Sequence, residues 1–205
     1  MQDVLLVCQD IPLENAQSQG EEPVSSITMS LEEKTDVQAI ENTADLPPQP
    51  GTHSVRSWGH EYERVRHGAL SLLAALDLNG GQIVAQVHAR NRSREHILLL
   101  KELDAKYPPP STIRVILDNH RSHVSKETMA CLATRPDRFI YVHTPKHGSW
   151  LNLIETVFLK MARSFLNGVH VGSRAELNQC ILQGVNEMNR WPVVICWRKF
   201  DLALA

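Results

Sequence analysis

A mixed α/β fold, one sheet flanked by helices, follows from the order in which apolar periodicities succeed one another along the chain. Three strand-like runs come first, and helical and strand patterns then alternate to the end. Extended segments that lead and then interleave with helices give a sheet with both antiparallel and parallel neighbours. No internal repeat competes with this reading.

The first strand is "VSSITMSLEEK", in which apolar and small residues alternate, and it is expected to end near Glu32 and Glu33. The next two lie in "ALSLLAALDLNGGQIVAQVHAR", where Asn79-Gly80-Gly81 separates two apolar runs. Asn-Gly supplies the positive φ angles of a tight hairpin turn. Ser93 opens "SREHILLLKELDAKY", with Ile97, Leu100 and Leu103 at helical spacing, and the following prolines stop it. "STIRVILDNHRSH" is a strand whose apolar run, Ile113 to Leu117, ends in Asp118, Asn119 and His120. "SKETMACLATRP" is a short helix with Ser125 as its N-cap, and Arg138 to Pro145 form a further strand. In "NLIETVFLKMARSFL", Ile154, Val157, Phe158, Met161 and Phe165 share one helix face. The last helix starts at a capping box, Ser173 to Glu176, and carries Leu177, Ile181 and Met188 inward.

Two segments resist this pattern. Residues 1–25 run from a short apolar stretch into Gln, Asn, Ser, Gly and Glu, and read as the remnant of a helix and linker. Residues 41–68 lack periodicity and are too long for an ordinary connection, which marks a functional loop or surface excursion.

Bulk properties narrow the function classes. Hydrophobic residues make up 42% of the 205 and charged ones 21%, the balance of a globular protein. The net charge of −2 carries no overall basic signature for nucleic acid, although local patches survive such a total. The four cysteines are scattered without a Cys-x-x-Cys pair, as expected of reduced thiols rather than a disulfide frame. No apolar run approaches the ~18 residues of a membrane span, and "MQDVLLVCQD" lacks the basic start of a signal peptide. A cytoplasmic protein is the expectation.

Functional groups in open α/β sheets gather at the carboxyl ends of strands. Glu32 and Glu33, Asp118, and Glu155 in the first turn of the large helix fit that rule. Three carboxylates in one crevice repel unless a cation neutralises them, and hard oxygen donors suit Mg²⁺ or Mn²⁺. A pair of such ions suits in-line phosphoryl displacement. A second reading of the same region uses nitrogen donors: His120 and His123, completed by His143 and His147, as a zinc site of a hydrolase.

"RVILDNHRSHVSKET", "TPKHGSWLNLIETVF" and "RHGALSLLAALDLNGG" resemble the catalytic domain of mariner-like bacterial insertion-sequence transposases, members of the DDE superfamily. The resemblance runs over residues 26–200, leaving 201–205 as a tail. It implies a ribonuclease-H-like fold and metal-dependent DNA cleavage and strand transfer with two Mg²⁺ or Mn²⁺ ions. Asp118 matches the second acid of the family's triad and Glu155 the third, with 36 residues between them. The first falls where the family has Asp-Glu-Lys. Here "SLEEKT" puts Glu32 in place of that Asp. The extra methylene moves a carboxylate by over ~1 Å, whereas catalytic groups are held within about 0.5 Å.

The resemblance also implies DNA as partner, both element ends and target, and a possible homodimer. Such enzymes carry an N-terminal helix-turn-helix portion, and this chain is expected to lack it. A catalytically inactive remnant that only binds nucleic acid or dimerises is the alternative. Asn119, His120 and Asn152 are expected to support the acids. Lys146, His147, Arg64, Arg66 and Arg92 are the expected DNA contacts, in loops also rich in Arg56, Arg90 and Arg94.

Overall fold

The computed structural model describes residues 4, 8, 26–42, 64–107, 109–145 and 152–193. Five strands form one sheet: β1 (Ser26–Asn42), β2 (Arg64–Asp77), β3 (Ile83–His88), β4 (Thr112–Leu117) and β5 (Phe139–His143). Their order is β3-β2-β1-β4-β5, with β1, β2 and β3 antiparallel and β4 and β5 running parallel to β1. Among the described residues, four α-helices defined along their full length accompany them: α1 (Ser93–Lys106), α2 (Lys126–Ala133), α3 (Ile154–Met161) and α4 (Arg174–Arg190). A π-helical turn, Ala162–Leu166, continues α3.

The pleat divides the apolar residues of each strand between two cores. Met29, Leu31, Leu73, Ala75, Ile113, Val115 and Leu117 pack with Leu99 and Leu103 of α1. Leu72, Ala74, Leu76 and Ile116 face the other way, toward Ile154, Val157, Phe158 and Met161 of α3 and Leu177 and Ile181 of α4. The sheet is therefore covered on both faces, which explains why β4 reads as an almost continuous apolar run.

The mixed sheet and the helices agree with the fold read from sequence, and four details differ. First, β1 does not end at Glu32 and Glu33. It continues to Asn42, with Glu32 opposite Ala74 and Glu33 opposite Leu73. What ends near there is the pairing with β4, whose last rung joins Ser30 to Ile116. An irregularity between Lys34 and Val37 adds one residue to β1, and Asp36 adopts φ 63°, a left-handed conformation that Asp tolerates.

Second, the β2–β3 turn is not a two-residue Asn-Gly turn. Asp77 caps it, with Oδ1 accepting from the amides of Asn79 (2.8 Å) and Gly80 (3.0 Å). The positive φ falls at Gly81, 75°, where a Cβ would lie 2.8 Å from the Val193 backbone. Asp77 is thus structural, as its place before the turn suggests. Third, α1 opens at Ser93 as read, but no side chain caps it: the N-cap is Arg92, which makes no side-chain bond there. Fourth, Arg64 and Arg66, expected in a loop, belong to β2. The remainder of that loop and residues 146–151 lie outside the described residues.

The caps predicted for α2 and α4 are formed. Ser125 Oγ accepts from Thr128 N at 3.1 Å, and Ser173 Oγ from Glu176 N at 3.1 Å. Glu176 reaches back to the amide of Gly172, at 2.9 Å, one residue before the cap.

Candidate active site

The site grows from the place where β1 parts from β4. Two residues beyond the last rung, Ser30–Ile116, come Glu32 on β1 and Asp118 after β4. The alternation of the pleat puts both on the face that carries α3. Glu155 occupies the first turn of α3 on that same face.

A buried polar clamp fixes the start of α3 against β1. Asn152, 1% exposed, donates from Nδ2 to the Leu31 carbonyl at 2.8 Å and to Glu32 Oε2 at 2.6 Å. Its Oδ1 accepts from the Ser30 hydroxyl, and Ser30 Oγ in turn accepts from Ile154 N at 3.0 Å. The chain thereby ties the third-acid helix directly to the strand of the first acid. Of the acids it is expected to support, Asn152 bonds Glu32.

Burial raises the Glu32 carboxyl above the ordinary carboxylate range. The Asn152 hydrogen bond opposes the rise, while the charges of Asp118 and then Glu155 add to it. All three acids therefore share one electrostatic environment. Burial alone would favour the neutral acid, so a cation is the natural stabiliser of three ionised groups there.

Asp118 is held through the main chain that follows it. Its Oδ1 accepts from the His120 amide at 3.0 Å and lies 3.1 Å from His123 Nδ1. The His120 ring turns away from the acid, to the Ser122 hydroxyl at 2.8 Å. Asn119 does not touch Asp118; its Nδ2 donates to the Thr144 carbonyl at 3.3 Å and joins the ends of β4 and β5.

Glu33 lies on the opposite face of β1 from Glu32, toward α1. Its Oε1 is 3.5 Å from His120 Nδ1, 3.5 Å from His123 Nε2, and accepts from Ser122 Oγ at 3.3 Å. Burial opposes ionisation of Glu33, but His123 and His120 outweigh it and hold the carboxyl below its ordinary range. This cluster is the part of the site that sequence reasoning missed. The signal available was the position of Glu33 one residue from Glu32, which puts the two carboxylates on opposite faces.

Among the described residues, His143 does not join His120 and His123 in the predicted zinc set. His143 Nδ1 lies 3.3 Å from the Asp118 carbonyl, apart from the Glu33 cluster, and His147 lies outside the described residues. Lys146 lies outside them too. The expected DNA-binding arginines separate in space. Arg92 starts α1 beside Asn91, a neighbour of Glu33. Arg66 pairs with Ile40 and Arg64 with Asn42, eight or more residues along β1 from Glu32. At ~3.3 Å per residue that is on the order of 25 Å from the acids. Among the described residues no helix is long and apolar enough to cross a membrane.

Residues 35–178 match the profile of the DDE superfamily endonucleases. That span contains Asp118 and Glu155 and begins three residues after Glu32. A 39 kDa protein of insertion element IS630 from Shigella sonnei is 32% identical over 87 residues, covering 42% of this chain and 25% of the relative. Among solved structures, the Mos1 mariner paired-end complex with Mn superposes with a TM-score of 0.54 at 13% identity. The alignment covers 95% of this chain and 56% of that one. The isolated catalytic domain of Mos1 mariner transposase gives 0.53 at 11% identity, over 94% and 83%. The chain thus spans a quarter of its insertion-element relative and just over half of the paired-end mariner chain. The sheet order, the helices on both faces and these superpositions define a ribonuclease-H-like fold. Together with the profile match over most of the chain, they show that this protein belongs to the DDE superfamily of endonucleases.

Proposed function

We propose that this chain is the catalytic domain of a transposase, cutting DNA strands at the ends of an element and joining them to target DNA. The observation that carries the proposal is the shared environment of Glu32, Asp118 and Glu155 at the split between β1 and β4. Glu32, Asp118 and Glu155 would hold two Mg²⁺ or Mn²⁺ ions. When bound, such ions neutralise the acids and stabilise the charge that develops on attacking and leaving oxygens. The donor set fits them, being all carboxylate oxygen.

The protein's own part is positional. Asn152 and Ser30 lock Glu32 to the α3 N-terminus, so the first and third acids move as one unit. The His120 amide fixes the rotamer of Asp118. The similar mariner structures include a paired-end complex with Mn and a strand transfer complex, which supports DNA ends and target DNA as substrates here. Arg92, at the start of α1 beside Asn91, and Lys146 and His147, which precede α3 in sequence, are the proposed contacts to the scissile strand's backbone. Arg64 and Arg66 would touch DNA farther away.

The test is Mg²⁺- or Mn²⁺-dependent nicking of DNA carrying the cognate element ends, with a DNA-binding region supplied. Asp118→Asn, Glu155→Gln and Glu32→Gln should each lower cleavage by at least about a hundredfold while leaving the fold intact. Cleavage that survives Asp118→Asn unchanged rejects the reading.

A further inference from the structure

The cluster on the other face of β1 has no role in the cleavage just described. It joins Glu33 Oε1, His120 Nδ1 and His123 Nε2, all within 4.8 Å of one another. Two edges of this triangle measure 3.5 Å. Ligand atoms about 2.0–2.2 Å from a tetrahedral ion sit roughly 3.3–3.6 Å apart, so the spacing is that of donors around one cation.

The state of His123 is the stronger observation. Its ring is 1% exposed, and Nε2 has only the long 3.5 Å ion-pair contact to Glu33 Oε1, short of a well-formed hydrogen bond. Its other nitrogen is already committed, since Nδ1 lies 3.2 Å from the Asp118 carbonyl. A histidine that donates its Nδ1 proton to a carbonyl presents the Nε2 lone pair outward, the arrangement found in metal-ligating histidines. A buried ring nitrogen without a well-formed hydrogen bond is costly, and this one faces the Glu33 carboxylate at 3.5 Å and the His120 ring. Behind it, the His96 ring packs in a tilted contact at a centroid distance of 4.5 Å and is fixed by a 2.8 Å bond between Nε2 and the Tyr141 hydroxyl. Ahead of it, the His120 side chain is 47% exposed, which leaves the cluster an opening to solvent.

We infer that Glu33, His120 and His123 form a second cation site, distinct in its ligands from the three-acid site that it adjoins through His123 Nδ1 and Asp118 Oδ1 (3.1 Å), that takes a borderline transition ion such as Zn²⁺ or Co²⁺. Two imidazoles and one carboxylate select against Mg²⁺, which favours all-oxygen shells. Ser122 Oγ, 2.8 Å from His120 Nδ1, gives up that bond when the ion binds. The inference does not depend on transposase activity, because none of the three ligands belongs to the proposed acid triad.

The test is titration of the full chain with Co²⁺ in a large excess of Mg²⁺, read by visible absorption and by calorimetry with Zn²⁺. One equivalent of Co²⁺ should bind with the intense bands of a four- or five-coordinate ion. His120→Ala, at an exposed side chain, and Glu33→Gln should each weaken binding at least about tenfold, while Glu32→Gln should not. Circular dichroism checks that each variant is folded, and His120→Ala decides the matter if Glu33→Gln is not. Absence of the bands in the native chain overturns the inference. So does their persistence in His120→Ala, or their loss in Glu32→Gln, which would place the ion among the acids instead.

Discussion

Asn152 touches two things that a catalytic site of this kind has to keep in register, the Glu32 carboxylate and the Leu31 carbonyl, both through one amide nitrogen. Replacing it with Ala leaves the Ser30 hydroxyl without its acceptor and Glu32 free to rotate. Loss of this buried network should destabilise the protein by about 1–3 kcal/mol and weaken Mn²⁺ binding about tenfold. Urea unfolding and Mn²⁺ electron paramagnetic resonance would measure the two effects. Unchanged Mn²⁺ affinity in a folded Asn152→Ala would show that the clamp serves stability alone. Glu32 also gains a new aspect. The longer side chain meets Asn152 at 2.6 Å, so in this chain the clamp is fitted to Glu.

At the scale of elements, what could be read in the sequence depended on how local its cause is. Helices α2 and α4 were legible to the cap, because Ser125 and Ser173 act on amides three residues away. Asp118 was legible because the apolar run of β4 stops just before it. β1 was not, since Thr35-Asp36 breaks the alternation and the partner that extends the strand, β2, lies past a long segment of other sequence. The Glu33 cluster was hidden for a related reason: it needs the register of β1 against β4 and the fold of the segment after Asp118. Arg138 shows how a single residue can join elements that are distant in sequence. Its guanidinium donates to Asp104 Oδ1 at 2.8 Å, to the Tyr107 carbonyl at 2.7 Å and to the Ser111 carbonyl. It thus pins the end of α1 and the entry to β4 against the start of β5. Arg138→Met should cost about 3 kcal/mol, because Asp104 and those carbonyls lose their donor. A lowered denaturation midpoint with an unchanged slope would register it. A loss below about 0.5 kcal/mol would mean that solvent and Arg135, 3.0 Å from Asp104, replace it.

For the whole molecule, acid is the condition that tests the α1 face of the core. His96 is 1% exposed between Tyr141 and the His123 ring, and burial pushes its pKa down to about 3. The groups facing it are His123 and His120, which add to the fall, and Glu33, which opposes it. A depressed folded pKa means that His96 is neutral when folded and takes up a proton on unfolding below about 6.5. Its contribution is fully present above that value and is lost as pH falls from about 6.5 toward 3. Between those limits the native chain should lose stability more steeply than His96→Gln, by up to about 1.4 kcal/mol per pH unit. Denaturant unfolding of both proteins at pH 7 and pH 5 gives the comparison; equal slopes would show that His96 is not neutral in the folded core.

The extra residue in β1 near Asp36 reaches further than a local kink. Before it, the odd-numbered residues Ile27, Met29 and Leu31 face α1; after it, the odd-numbered Val37 and Ala39 face α3 and α4. The strand changes parity in mid-course, immediately past its two glutamates. Were the strand to alternate regularly through Thr35-Asp36 with its length unchanged, Val37 and Ala39 would face the α1 core while the acids stayed where they are. Deleting the extra residue would instead let Val37 follow Lys34 in an unbroken ladder, opposite Leu70 and still facing α3 and α4, so the bulge lets the distal half of β1 carry one more residue without disturbing the acids.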